Sequence, residues 1–259
     1  MESDEVARFA QATSWIDPGE AALVAEARTR KPRARVLDLG MGAGRTIPLL
    51  ADFGPGYVGI DYSAAMVEAC ARVFPDADVR EGDARDLSAF ADGSFDIVMF
   101  SNNGIDAVNH DGRLRVLAEA YRVLSPDGLL LFSTYNLNGP SARERPWTLP
   151  GLDFSQPKRA LSRVKYRLTT FAEGLRNYRR LRGDYERGDG WQVRINGSHA
   201  FGIVVHHTTL AAQVGDLERA GFLAPSVFSS ADGTALGLDA DTRQVWYFHL
   251  MAVKPASAG

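Results

Sequence analysis

Short apolar runs alternate with helix-like segments over the first half of the chain. The apolar runs predict strands at residues 35–38, 57–60, 77–80, 95–100 and 129–134. Segments with helical spacing or end signals predict helices at residues 19–29, 45–52, 64–73 and 111–124. Strands and helices that alternate in this way are typical of a parallel sheet with helices on both faces. The pattern therefore predicts an α/β fold.

The pattern changes after residue 136. Residues 138–157 are rich in Pro, Gly and polar residues, which indicates loop. Residues 158–182 carry nine Lys or Arg against one Glu, and their apolar residues recur at helix-like spacing, which predicts a helix. Two alternating runs, 191–195 and 199–206, are joined through Asn196-Gly197, which favours a β-hairpin. A helix at 209–220, closed by Gly221, and strands near 224–229 and 243–253 complete the prediction.

These changes divide the chain into four predicted parts. They are an N-terminal arm and helix that act as a lid (1–30), a core (31–136), an insertion that covers the substrate (137–207) and a C-terminal completion of the core (208–254). The insertion follows the fifth strand. In the arm, Trp15 could close over a site, or serve only as an apolar anchor.

Composition narrows the range of functions. The chain has 259 residues, a formal net charge of −3 and one cysteine, Cys70. The overall charge gives no reason to expect nucleic acid or an anionic membrane as partner. One cysteine excludes an internal disulfide and a multi-thiolate metal site. Because the first ten residues lack the basic start and apolar run of a signal peptide, we expect a reduced, cytoplasmic protein.

Three glycines at alternate positions, Gly40, Gly42 and Gly44, directly follow the first strand. Glycine lets a backbone approach a ligand closely, and a helix N-terminus after the turn favours negative charge. The dinucleotide pattern G-x-G-x-x-G fails at Arg45, and no phosphate-binding G-x-x-x-x-G-K-[ST] motif occurs. Asp38 beside the turn suits an ammonium-bearing ligand better than a pyrophosphate. The alternative is a tight turn with no ligand.

Acidic residues follow the next two strands. Asp61 ends the second strand, about twenty residues beyond the turn, where a carboxylate can accept hydrogen bonds from ribose hydroxyls. Asp83 follows the third strand, where it could accept from an adenine amino group while the Ala84 N–H donates to the ring. Ligands of parallel sheets bind at the carboxyl ends of the strands. Three acids at successive strand ends therefore predict an adenosine-containing ligand.

Five segments together resemble the ordered motifs of the class I S-adenosylmethionine-dependent methyltransferases. They are residues 38–44 (DLGMGAG), 61–63 (DYS), 82–84 (GDA), 95–98 (FDIV) and 124–128 (LSPDG), and the resemblance covers about residues 33–136. It implies S-adenosylmethionine as cofactor. It also implies a Rossmann-like methyltransferase fold: a seven-stranded, mostly parallel sheet whose last strand is antiparallel.

The resemblance assigns a place to each cofactor-binding residue. The turn from Gly40 to Gly44, with Asp38, would contact the methionine part, and Asp61 would bind the ribose. The remaining positions implied by the family are Asp83 and Ala84 at the adenine, Tyr62 and Met66 packed on the adenine or ribose, and Ser101 and Asn102 beside the sulfonium.

Several specialised methyltransferase subclasses are excluded by sequence. No Asp/Asn-Pro-Pro-Tyr motif follows the fourth strand, and Cys70 lies within a helix rather than at the ligand edge. No carboxylates cluster convincingly, so we predict no metal. The candidate catalytic residues are Tyr135, His206 and His110; other polar candidates are Asp106, Asn109, Asn136, Asn138, His199 and His207. A histidine in an alternating run is often only solvent-facing or internally hydrogen-bonded.

The most favoured function is methyl transfer to a small molecule, at nitrogen rather than oxygen, because no metal cluster or evident base is present. The basic stretch 158–182 leaves three interpretations open. It could grip RNA phosphates, form a solvated helix face over an apolar stripe, or cover an anionic small substrate. An RNA methyltransferase is therefore one alternative, and a non-catalytic cofactor-binding regulator is another. The sequence leaves the oligomeric state open.

Overall fold

A computed structural model describes residues 16–148, 157–183 and 185–256. The strands are β1 (Val36–Leu39), β2 (Tyr57–Asp61), β3 (Asp78–Glu81), β4 (Phe95–Phe100), β5 (Leu124–Tyr135), β6 (Arg187–Gly188), β7 (Trp191–Asn196), β8 (Ile203–Thr208), β9 (Ser226–Ser229), β10 (Ala235–Leu236) and β11 (Tyr247–Val253). The helices are α1 (Pro18–Arg30), α2 (Ile47–Leu50), α3 (Ala64–Val73), α4 (His110–Val123), α5 (Pro157–Thr169), α6 (Phe171–Leu181) and α7 (Leu210–Arg219). Residues 1–15 of the predicted arm, which include Trp15, lie outside the described residues.

The main sheet has the order β10-β9-β11-β5-β4-β1-β2-β3. Strands β1 to β5 run parallel, and β11 runs antiparallel to β5, with Tyr247 opposite Tyr135. The predicted α/β fold with an antiparallel last strand is confirmed. The count of seven strands was one short, because the two-residue strand β10 adds an eighth among the described residues by pairing with β9.

Each face of the sheet is covered by apolar helix residues. On one face, Val116, Leu117 and Ala120 of α4 pack with the core residues of β4 and β5. On the other face, Leu23 and Val24 of α1 belong to a second buried cluster. All four residues of β1 are buried, which explains its continuous apolar appearance. Cys70 is a fully buried packing residue, as predicted.

Two helix starts in the core differ from the prediction. The helix expected at residues 45–52 begins only at Ile47, spans Ile47–Leu50 and continues as a short 3-10 helix, Ala51–Phe53. The residues after the glycine turn are themselves turn, so no long helix presents its N-terminus to a ligand. Helix α4 is capped by Asn109 and not by Asp111, because the Asn109 side chain accepts a hydrogen bond from the Gly112 N–H.

The insertion contains a separate antiparallel sheet, β6-β7-β8, and two helices. The predicted single helical stretch is broken between α5 and α6 at Thr170. The predicted two-residue hairpin turn is wrong, since six residues join β7 to β8 and His199 lies in a 3-10 helix rather than a strand. Leu161 and Leu168 are each 70% exposed, so the expected apolar stripe of α5 is not buried.

A fully buried ion pair joins the core to the C-terminal half. The Asp106 carboxylate accepts hydrogen bonds from Arg113, from Thr134 Oγ1 at 2.8 Å and from the Tyr135 N–H at 2.7 Å. Arg113 also donates to Gln213 of α7. Burial raises the pKa of Asp106 to about 6, against the charge and hydrogen bonds that lower it. Asp106 is therefore a structural partner of Arg113, and its carboxylate is already hydrogen-bonded.

We predict that Arg113→Met destabilises the protein more than the double variant Asp106→Asn/Arg113→Met. The single change leaves a buried carboxylate without its counter-charge, which costs about 3 to 5 kcal/mol, whereas the double change removes both charges. Urea unfolding measures the difference. Arg115→Met, at an exposed position of the same helix, is the matched control. Equal stability of the Arg113 and Arg115 variants would contradict a structural role for the ion pair.

Candidate functional site

The glycine turn adopts a backbone conformation that requires glycine. Gly40, Gly42 and Gly44 have φ values of 63°, 58° and 91°, in the left-handed region. A Cβ on Gly40 would lie 2.7 Å from the Phe100 ring, so this position has no room for a side chain. A Cβ on Gly42 would meet nothing within 4 Å. The turn is therefore packed against Phe100 at Gly40 and open at Gly42, which would allow a ligand to approach the backbone there.

Asp61 ties the turn to the end of β2. Its Oδ2 accepts a hydrogen bond from the Gly42 N–H at 2.9 Å, and its Oδ1 accepts from the Ser63 N–H at 2.9 Å. Each carboxylate oxygen has further acceptor capacity, so these bonds leave room for ribose hydroxyls. The side chain fixes the turn and remains able to accept hydrogen bonds from a ligand.

Asp38 is a fully buried acid below the turn. Its Oδ2 accepts hydrogen bonds from Thr46 Oγ1 and from the Tyr57 hydroxyl, the latter at 3.0 Å. Its Oδ1 is buried without a hydrogen-bond partner. Burial raises the pKa of Asp38 to about 7, against the hydrogen bonds from Thr46 and Tyr57 that lower it. An unpartnered carboxylate oxygen beside an open glycine fits the ammonium group expected for the methionine part of S-adenosylmethionine.

Three buried or half-buried side chains meet next to Asp38. Glu20 of α1 binds the Arg45 guanidinium through both oxygens, at 2.7 and 2.8 Å, and both residues hydrogen-bond to the Ser101 hydroxyl. Ser101 was a predicted cofactor residue, but Glu20 and Arg45 were missed. Arg45 was noticed only as the residue that breaks the dinucleotide pattern. No local sequence signal connects it to Glu20, 25 residues earlier.

The adenine side of the site contains the other predicted cofactor residues. Asp83 forms a two-pronged ion pair with Arg85, with a shortest distance of 2.6 Å. Hydrogen bonding from Arg85 lowers the pKa of Asp83. Tyr62 is 80% exposed at this edge, whereas Met66 and Ala84 are half-buried. Contact of Asp83 and Ala84 with adenine, and packing of Tyr62 and Met66 on the nucleoside, remain predictions.

Tyr135 lies at the carboxyl end of β5, where an acceptor would approach. Its ring stacks on His207 of β8 with centroids 5.1 Å apart. Its hydroxyl has Asn103 and Ser198 as hydrogen-bond partners, and burial raises its pKa. Asn103 was missed, although its neighbour Asn102 was predicted. Both residues have positive φ, but Asn103 is buried and carries an unpartnered Oδ1, whereas Asn102 is exposed.

His110 of α4 and His206 of β8 lie together on the face of the hairpin opposite to His207. His110 Nδ1 is 3.2 Å from His206 Nε2, and the His110 ring stacks on Trp191 with centroids 4.0 Å apart. Burial, with the charge of Arg113, lowers the pKa of His206 to about 2, and burial lowers that of His110. Burial also lowers the pKa of His207 to about 3. The two buried imidazoles of β8 are therefore neutral at physiological pH.

The other polar candidates have structural partners. The Asn136 amide donates to the carbonyls of Thr242 and Val245 at 2.7 and 2.9 Å, and Asn138 N–H donates to the Asn136 side chain. Asn109 caps α4. Within the described ranges, no three His, Cys, Asp or Glu side chains are grouped so that they could hold a metal ion.

The sequence of the core matches known methyltransferases. A family described as "Methyltransferase domain" matches residues 36–128. A demethylmenaquinone methyltransferase of Renibacterium salmoninarum is 39% identical over 114 residues, 44% of this chain and 46% of that protein. A cypemycin N-terminal methyltransferase of a Streptomyces species is 35% identical over 121 residues, 45% of this chain and 48% of that protein. The chain thus covers less than half of the length of each relative.

Solved structures share the fold over nearly the whole chain. The CcbJ methyltransferase of Streptomyces caelestis has a TM-score of 0.59 at 15% identity, over 94% of this chain and 91% of that chain. An S-adenosylmethionine-dependent methyltransferase of Mesorhizobium loti has a TM-score of 0.55 at 18% identity, over 89% and 95%. At these identities the likeness establishes the fold alone. In the described part of the chain, no helix is long and apolar enough to span a bilayer.

We predict that Asp38 makes a contribution to the free energy of unfolding that is lost as pH rises from about 4 to 7, and that Asp38→Asn removes this falling contribution, while the lowered pKa values of His206 and His207 make a rising contribution in both proteins. Because the folded-state pKa of Asp38, about 7, lies above its ordinary value of 3.8, the folded protein binds the extra proton in this window. The contribution amounts to at most about 4 kcal/mol. Urea unfolding at several pH values measures it, with the exposed Asp52→Asn as control. Parallel pH profiles for Asp38→Asn and the wild type would contradict the shift.

The glycine turn, the acids at the ends of β1 and β2 and the strand order agree with the family match over residues 36–128. The unpartnered Asp38 oxygen and the open Gly42 fit the cofactor of that family. Residues 36–128 therefore match a methyltransferase domain in sequence, the chain has the fold of S-adenosylmethionine-dependent methyltransferases, and S-adenosylmethionine is the cofactor that this match implies.

Proposed function

We propose that the protein transfers a methyl group from S-adenosylmethionine to a small-molecule acceptor, at nitrogen rather than oxygen. The observation that carries the choice of nitrogen is the state of Tyr135 and of the two histidines of β8. His206 and His207 are neutral and are weak bases, and burial raises the pKa of the Tyr135 hydroxyl. A hydroxyl acceptor usually needs a base or metal, whereas a neutral amine needs only to lose its proton.

On this proposal, the chain holds the cofactor along the edge formed by β1, β2 and β4. Asp38 would accept from the methionine ammonium, Asp61 from the ribose hydroxyls, and Gly42 would allow close approach of the backbone. Glu20 holds the Arg45 guanidinium and the Ser101 hydroxyl in place at this edge. When bound, the cofactor supplies a methyl group on a positively charged sulfur. Methyl transfer to an amine is an in-line displacement, so alignment is the main requirement.

The acceptor would be oriented from the opposite side by residues at the end of β5. Tyr135 is held at its backbone by Asp106 and at its hydroxyl by Asn103 and Ser198. His207 covers the Tyr135 ring, and the hairpin that carries it shields this edge from water. We propose that Tyr135 positions the acceptor. The catalytic roles predicted for His110 and His206 stay predictions. Both rings stack with Trp191 of β7, so we propose that they stabilise the hairpin.

The proposal predicts labelled methyl uptake into small metabolites. The full-length protein, incubated with labelled S-adenosylmethionine and fractions of small metabolites, should form a labelled product and S-adenosylhomocysteine. We expect the label in an amine that resists mild alkaline hydrolysis, which would cleave a methyl ester. A labelled ether or ester product would contradict nitrogen as the acceptor atom. Cofactor binding without product from any fraction would favour a non-catalytic regulator.

An RNA methyltransferase is the second candidate, because α6 presents exposed cations. Arg176, Arg179 and Arg180 are all exposed, with one acid, Glu173, on the same helix. Phosphate contacts by these residues would make RNA binding fall steeply with salt. We expect total tRNA to take up no label, and Arg179→Gln/Arg180→Gln to leave methyl transfer to the small acceptor unchanged. Labelling of tRNA that this double variant abolishes would replace the small-molecule proposal.

A further inference from the structure

The β7–β8 hairpin turns one polar face toward Tyr135. Side chains alternate along a strand, so Gln192, Arg194 and Asn196 share a face of β7. In the antiparallel register, Gln192 is opposite His207 and Arg194 is opposite Val205. His207 stacks on Tyr135, so this is the face beside the proposed acceptor position.

Three buried polar atoms on this face have no hydrogen-bond partner. They are Arg194 Nε, Asn196 Nδ2 and His207 Nε2. Asn196 is 2% exposed and His207 is fully buried. Arginine Nε and asparagine Nδ2 can only donate. A buried donor without an acceptor costs free energy, and these two donors lie one strand alternation apart on the same face.

Positive charge lies near the same face, and no carboxylate among the described residues pairs with it. Among the described residues, Arg194 donates to the Gln192 side chain at 3.0 Å and forms no ion pair. Arg145 also forms none, and its guanidinium donates to the backbone carbonyls of Ala142 and Glu144. The charge of Arg145 adds to burial in lowering the pKa of Arg194. Two unneutralised guanidiniums therefore lie near each other and partly out of water.

Glu144, which precedes Arg145 in the chain, is already engaged elsewhere. The Glu144 carboxylate pairs with Arg167 of α5 at 3.0 Å and packs against Gly197 in the turn after β7. Tyr178 and Tyr185, both close enough to influence Arg194, carry hydroxyls that can donate a hydrogen bond to an oxygen ligand. The surroundings of Arg194 thus offer donors and positive charge in excess of acceptors.

We propose that Arg194, Arg145 and Asn196 form a subsite for an anionic oxygen group, a carboxylate or a phosphate, carried by the methyl acceptor. Such a group would accept from Arg194 Nε and Asn196 Nδ2 and neutralise the two guanidiniums. It would anchor the end of the acceptor remote from the methylated atom, while His207 and Tyr135 contact the part nearer the cofactor. This inference rests on the proposed function and specifies the class of its substrate.

Calorimetry with simple anions tests the subsite. The full-length protein, with and without S-adenosylhomocysteine, is titrated with benzoate, phenyl phosphate and the neutral analogue benzamide. We expect one of the two anions to bind at least about tenfold more tightly than benzamide. The tighter anion distinguishes a carboxylate from a phosphate. Equal binding of all three probes, or binding of none, overturns the proposal. If S-adenosylhomocysteine does not bind, the proposed function is contradicted. Selective anion binding without S-adenosylhomocysteine would still support the subsite, and its absence would overturn the subsite.

Two variants and a control assign the effect to this face. Arg194→Gln and Arg145→Gln should each weaken binding of the preferred anion at least about tenfold and leave S-adenosylhomocysteine affinity unchanged. Arg180→Gln removes one exposed charge on α6 and should change neither. Because each variant removes an unneutralised, partly buried charge, we expect no fall in melting temperature. Equal losses in Arg194→Gln, Arg145→Gln and Arg180→Gln would reduce the effect to general charge attraction and overturn the subsite.

Discussion

The buried ion pair between Asp106 and Arg113 is the constraint on which the acceptor half of the site depends. One carboxylate receives hydrogen bonds from α4, from Thr134 and from the backbone of Tyr135, while its partner arginine reaches Gln213 of α7. Charges buried at this depth are tolerated only when their polar atoms are paired with good geometry. The pair therefore holds the backbone of Tyr135 in a defined position at the carboxyl end of β5. The hairpin then packs on that position through His207.

The proposed cofactor half is organised by carboxylates with different hydrogen-bond partners. Asp61 accepts from two backbone N–H groups and shapes the turn, whereas Asp38 is buried with one oxygen unpartnered and a pKa of about 7. Glu20, brought in by α1, neutralises Arg45 beside them. The acids on the proposed cofactor side thus contrast with the proposed acceptor side, where Arg194 and Arg145 have no ion-pair partner among the described residues. A cofactor with an ammonium group and an acceptor with an anionic group would complement the two halves.

Local signals in the sequence were sufficient to predict most of the core and the glycine turn. The turn glycines, Asp61 and the bounds of β4 depend on short-range spacing, so the sequence was sufficient for them. Contacts between distant positions were missed: Glu20 with Arg45 is separated by 25 residues and Arg113 with Gln213 by 100. The face of the hairpin that Arg194 shares with His207 depends on strand register, which the wrong two-residue turn obscured. The length of the helix after the turn was overestimated, because an apolar run alone does not show at which residue the turn ends and the helix begins.

The central claim is that the edge formed by β1, β2 and β4 binds S-adenosylmethionine through the turn held by Asp61. The most direct measurement is calorimetric titration of S-adenosylmethionine and S-adenosylhomocysteine into the wild type, Asp61→Ala and the exposed control Asp76→Ala. The account predicts binding by the wild type and the control, and a loss of at least about a hundredfold in affinity for Asp61→Ala, which removes about 3 kcal/mol of hydrogen bonding. Binding that is absent in the wild type, or unchanged in a folded Asp61→Ala protein, would contradict it.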